Sequence, residues 1–188
     1  MEGKRNVQYV LCLTVAVVMI LTACVPHPYW AVEKGPATGK LPPPEASAFW
    51  EYITKADPYR NWALHPPKQG LYPSMRRGLT PAKNPHGAYL KLYGNRAAIQ
   101  TAKEGHDKPM PDGAILIMEN YDKDKQTLKS VMFMYRVKGY NPADGDWFWG
   151  SYSPEGQVMD TGKVESCIEC HRTQDWHDWR FMGAMPHH

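Results

Sequence analysis

Cys167-Ile168-Glu169-Cys170-His171 is the stretch of this chain whose residue types and spacing point most specifically to one chemistry. Two thiols three positions apart, followed at once by an imidazole, form the attachment pattern of c-type haem, in which the thiols add across two vinyl groups and the imidazole ligates the iron. The spacing suits the reaction because both sulfurs must reach one edge of the porphyrin while the next side chain turns beneath the metal. A structural zinc site would need a second pair of ligands at similar spacing, and the sequence has none. A thioredoxin-like Cys-x-x-Cys belongs near the start of a βαβ unit, whereas this one comes late in the chain. Chance produces the pentapeptide in about one chain per thousand of this size. Cys167 and Cys170 are therefore the expected cofactor-binding thiols, for one covalent haem c, and His171 is the expected metal ligand.

The remaining cysteines read as part of an address. Lys4 and Arg5 precede an apolar run from Val10 to Leu21, and Leu21-Thr22-Ala23-Cys24 follows, in the charged, apolar, small order of a secretory signal. The run is short for a permanent membrane helix. Leu-Thr-Ala-Cys resembles a bacterial lipobox, which makes residues 1–23 a signal peptide and Cys24 the lipidation site of the mature chain. Cys12 leaves with the signal, so no pair is left for a structural disulfide. Export agrees with the haem motif, because it delivers the chain to the periplasmic side of the membrane, where such haem is attached. Residues 24–44 include Pro26, Pro28, Pro36, Pro42, Pro43 and Pro44 and read as a semi-extended tether. At about 3.1 Å per residue it could hold the domain up to about 60 Å from a lipid anchor.

Composition narrows the class further. The 188 residues are 43% hydrophobic and 22% charged, which excludes collagen, coiled coil, acidic disordered tail and disulfide scaffold. A formal charge of +3, spread along the chain, gives no nucleic-acid footprint. Residues 45–188 read as one globular domain.

The elements that must position the haem motif follow from periodicity. Ala46, Phe49, Trp50 and Ile53 recur with helical spacing. Ala88 to Tyr93 alternates as a strand, Asn95 caps a helix through Glu104, and Gly105 stops it. Pro111-Asp112-Gly113 forms a turn before a strand from Ala114 to Tyr121, and strands Leu128 to Val137 and Trp147 to Ser153 follow in a meander. In the strand after Gln126, Leu128, Met132 and Met134 share one face, and Val131, Phe133, Tyr135 and Val137 the other. A sheet apolar on both faces needs helices on one and another bulky group on the other, and a haem serves. The expected class is α+β, an antiparallel sheet with flanking helices and haem packed against it. His86 reads as a residue that orients a loop beside this sheet, with a distal haem ligand as the alternative, and His177 as a buttress of the haem motif.

A β-rich domain preceding a late Cys-x-x-Cys-His resembles the cytochrome P-460 family, which includes the sheet cytochromes called cytochrome c prime-beta. The resemblance rests on Pro85-His86-Gly87 before the strand with Tyr93 and Asn95, on Pro111-Asp112-Gly113 before a strand ending Met118-Glu119, on Gly145-Asp146-Trp147-Phe148, and on the haem motif followed by Asp178-Trp179-Arg180-Phe181. It implies His171 as the proximal ligand, a distal iron face backed by the sheet, and a possible homodimer. In hydroxylamine-oxidising members a lysine just before the Glu bonds to the haem ring; here that place holds Met118. An arginine of their distal pocket is matched by Leu90. Hydroxylamine oxidation is therefore the secondary reading, and a haem-stabilised interaction module a third. With Leu116, Met118 either caps an open iron that takes NO or CO, or binds the iron through sulfur, or fills the core. The leading expectation is a lipid-anchored monohaem cytochrome serving a redox partner protein or a small gaseous ligand.

Overall fold

The computed structural model describes residues 40–64, 79–81, 86–104 and 108–180. The signal segment, Cys24, the tether up to residue 39, Gly105 and the tail after Arg180 lie outside them.

Among the described residues seven strands form one antiparallel sheet: β1 (Ala63–Leu64), β2 (Thr80–Pro81), β3 (Tyr89–Gly94), β4 (Ile115–Tyr121), β5 (Leu128–Arg136), β6 (Trp147–Tyr152) and β7 (Val158–Gly162). The five longer strands neighbour one another in chain order, β3 to β7, with a helix between β3 and β4, and the two short ones pair with β3. The amide of Ala114 donates to the Pro111 carbonyl at 3.0 Å across the Pro-Asp-Gly turn, where Gly113 takes φ +82°.

Alternation along the strands sorts their side chains onto two apolar faces. One face carries Ile115, Ile117, Val131, Phe133 and Phe148 and is covered by helix α1 (Ala46–Glu51), whose Phe49 is fully buried. Its ring lies 4.2 Å from that of Phe133 and meets Phe148 edge-on at 6.0 Å. Such aromatic contacts add to burial, so loss of this ring would cost about 3–5 kcal/mol. The helix continues through a π-helical segment, Tyr52–Ala56, which extends the expected amphipathic stripe to the buried Ile53. The last residues of the proline-rich stretch belong to this packing, since Tyr135 donates its hydroxyl to the Pro42 carbonyl at 3.0 Å.

The other face carries Leu116, Met134, Trp147 and Trp149 and receives helices α2 (Arg96–Glu104), through Ala98, and α3 (Glu165–Arg172), through Ile168. Helices thus cover parts of both faces. Asn95 caps α2 as expected, accepting from the Ala98 amide at 3.1 Å. The same side chain reaches into the sheet, accepting from the Ile115 amide at 3.1 Å and donating to the Gly113 carbonyl at 2.8 Å. Leu128 departs from its expected face. Tyr121 pairs with Leu128 but Asn120 with Ser130, so the irregularity between them places Leu128 with Val131 and Phe133.

Candidate functional site

Helix α3 places the haem motif. A helical repeat puts Cys167, Cys170 and His171 on neighbouring positions of one side, while Ile168 enters the core beside Trp149. Neither Cys167 nor Cys170 is in a disulfide; Cys170 is exposed and Cys167 half-buried, and burial pushes the Cys167 thiol up. Among the described residues no cluster of three or more His, Cys, Asp or Glu side chains is arranged around one metal position.

His171 is fixed by one ring nitrogen. Its Nδ1 lies 2.6 Å from the carbonyl oxygen of Trp179, and because a carbonyl only accepts, Nδ1 carries the proton. Nε2 is then the unprotonated nitrogen, the one whose lone pair has the chemistry to bind iron, as in metal sites where a backbone carbonyl sets the tautomer. Burial holds the imidazole below its ordinary pKa; the bond to Trp179 opposes this, and nearby His86 adds to it.

The Trp179 carbonyl reaches back because Asp178 and Trp179 both adopt left-handed backbone, at φ 55° and 65°. Such conformations persist where surrounding contacts hold them. The Asp178 carboxylate accepts from the Met110 amide at 2.6 Å and pairs with Arg136, while buried Arg180 donates to the Lys108 carbonyl at 2.7 Å. The indole of Trp179 lies on Gly145. A Cβ there would fall 2.5 Å from its Nε1, and Gly145 itself takes φ +69°, so only glycine suits the position. The Gly-Asp-Trp-Phe and Asp-Trp-Arg segments are therefore two halves of one device that orients His171.

The sheet supplies the opposite wall. Met118 is half-buried in β4, paired across the sheet with Leu92 and Met132, on the face that carries Leu116 and Trp149. The Trp149 ring stands 4.7 Å from that of His171. Leu90, paired with Asn120, shares this face at its far end. His86 is half-buried, and its ring lies 6.3 Å from the His171 ring at 77°. Burial keeps His86 below its ordinary pKa.

Several buried polar atoms on this side lack a hydrogen-bond partner among the described residues: His86 Nδ1, Asn120 Oδ1, Trp147 Nε1 and Trp149 Nε1. Trp62 Nε1, packed on the other face, is a further such atom, while the four here gather where a ligand with polar edges would satisfy them. A haem matches that pattern, since it brings an iron for imidazole, carboxylates for indole N–H groups and a wide apolar ring for Leu92, Leu116 and Met118. The residues present fit the group.

On the opposite face lies a constellation that the sequence reading did not single out. Glu119, 1% exposed, accepts hydrogen bonds from the hydroxyls of Tyr59 (2.8 Å), Tyr93 (3.0 Å) and Tyr121 (2.7 Å) and from Arg60 Nε (2.8 Å). Its signal was a carboxylate in phase with the core residues Ile115 and Ile117. Glu119 points away from the histidines, because neighbours in a strand face opposite ways.

A meander sheet crossed by a helix of paired thiols, with a histidine turned by one nitrogen against an apolar wall, defines a sheet-based haem protein, distinct from the small helical cytochromes. The family follows from comparison. The model of the Cytochrome P460 family matches residues 57–182, and the chain belongs to that family; it is a haem-binding cytochrome. Comparison with curated proteins gives no match.

Proposed function

We propose that this chain is a lipid-anchored, periplasm-facing monohaem c-type cytochrome that carries electrons or binds a neutral diatomic molecule such as NO or CO. Cys167 and Cys170 hold the haem through thioethers, His171 is its proximal ligand, and Met118 with Leu116 forms part of the wall that faces it. When bound, the haem supplies a redox-active iron; the chain supplies orientation, exclusion of water and the tautomer of the ligand.

The observation that carries this reading is the 2.6 Å contact from His171 Nδ1 to the Trp179 carbonyl, on the helix that presents both thiols. It puts the proton on Nδ1 and so turns the unprotonated Nε2 into the nitrogen that can meet iron, while burial favours the neutral imidazole, the form that binds metal. Exposure of Cys170 supports electron exchange, because a haem edge bonded there would lie at the surface, within reach of a partner protein. Cys24 supplies the anchor and the proline-rich segment the reach.

Absorption spectra of the purified full chain, oxidised, reduced and reduced under CO, test the proposal. The expected result is an ordinary c-type reduced spectrum from one haem. A reduced spectrum with no c-type bands would refute it.

A further inference from the structure

We propose that His86 is the second axial ligand of the haem iron, opposite His171, so that two imidazoles hold the metal and gaseous ligands enter only when His86 leaves. This rests on the reading above, in which a haem bonded to Cys167 and Cys170 is ligated by His171.

The spacing of the rings carries the inference. An imidazole–metal bond of about 2.0 Å on each side, plus about 1.1 Å from nitrogen to ring centre, sets two imidazoles sharing one metal about 6.2 Å apart. The His86 and His171 ring centres are 6.3 Å apart. Two half-buried imidazoles thus stand at the separation of a shared metal.

A second observation is independent of that distance. His86 Nδ1 is buried with no hydrogen-bond partner among the described residues, and polar atoms in that condition call for a ligand. The backbone beside it is fixed to the sheet. Gly87 turns at φ +73°, where an added Cβ would sit 3.2 Å from the Tyr121 carbonyl, and the Ala88 amide donates to that carbonyl at 3.1 Å. His86 is therefore set by the end of β4, and rigid placement of this kind is what a ligand on a short tether requires. Met118 shares the face as part of the pocket wall, while His86 has the ring at two-ligand spacing.

The test uses the full-chain holoprotein, with intact mass measured first. Ferric wild type should be low-spin by electron paramagnetic resonance, without the far-red band of sulfur ligation, and the reduced protein should bind CO slowly. His86→Ala should become high-spin and bind CO at least about tenfold faster, because CO sees only the fraction of molecules whose sixth position is open. Added imidazole should restore its low-spin spectrum. His86→Met should stay low-spin and gain the sulfur band, a readout that survives if the alanine variant incorporates haem poorly, and Met118→Ala should keep the wild-type spectrum. High-spin wild type with its haem mass present overturns the assignment and leaves the attachment standing. So does a low-spin state kept in His86→Ala and lost in Met118→Ala. A chain without haem mass overturns both readings.

Discussion

Replacing Glu119 by glutamine should cost about 1–4 kcal/mol of stability at neutral pH, and the cost should shrink in acid. The carboxylate is 1% exposed and fully engaged: Oε1 accepts from Tyr59 and Arg60, and Oε2 from Tyr93 and Tyr121. Glutamine keeps one acceptor oxygen and puts an NH₂ group where two phenols donate. Two charge-assisted bonds at about 1.5–3 kcal/mol each are lost, and rotated phenols that accept from the amide recover about 1 kcal/mol apiece. Arg60 contributes little to the difference, because its side chain is 62% exposed. Burial alone would raise the Glu119 pKa, but hydrogen bonds from Tyr121, Tyr59 and Arg60 outweigh it and hold the carboxyl below its ordinary value. A depressed folded-state pKa means that the stabilisation is complete above the unfolded-state value and is lost as pH falls through the folded-state value. Denaturant unfolding of both holoproteins, compared at constant slope, measures the gap. A gap below about 1 kcal/mol at neutral pH, or one that widens in acid, would refute the reasoning.

Other sites give sharp expectations. Asn95→Ala removes a helix cap worth about 1 kcal/mol and orphans the Ile115 amide and Gly113 carbonyl, so chemical denaturation should show a loss of about 3–4 kcal/mol. Asn95→Asp keeps the accepting oxygen and should lose less. Cys24→Ser should release the protein from membranes or leave the signal uncut, as read by fractionation and mass; fully soluble wild type in its native host would contradict the anchor. With Met118 in place of the family's reacting lysine, the haem should lack a ring cross-link and hydroxylamine turnover should be weak or absent. A strongly red-shifted reduced band together with turnover would reverse that expectation.

The sequence spoke most clearly where burial and periodicity agree. Strands β3 to β6 announce themselves through alternation and Gly or Pro turns, and Asn95 marks the start of α2 by its cap chemistry. Strand β7 left little trace, because it is an edge strand exposed at nearly every position, with Met159 58% exposed, so no apolar phase is needed. Leu128 was assigned by strict alternation, which the pairing irregularity at Tyr121 interrupts. At the site, spacing alone singled out Cys167, Cys170 and His171, and helix α3 sets them on neighbouring positions of one side. The device that orients His171 was not, since it works through the Trp179 backbone carbonyl and two left-handed residues, and neither leaves a residue-type signature. His86 looked like a loop histidine for a similar reason. Its distance from His171 is set by the pairing of β3 with β4 and the docking of α3, which no local pattern encodes.

The central claim, covalent haem at Cys167 and Cys170, is tested most directly by mass spectrometry of the denatured chain after expression with the haem-attachment machinery. Thioether bonds survive acid and organic extraction, which strip a merely ligated haem. The account predicts the mass of the chain plus one haem, and the bare polypeptide mass when both cysteines are alanine. A wild-type chain that emerges from extraction at the bare polypeptide mass would contradict it.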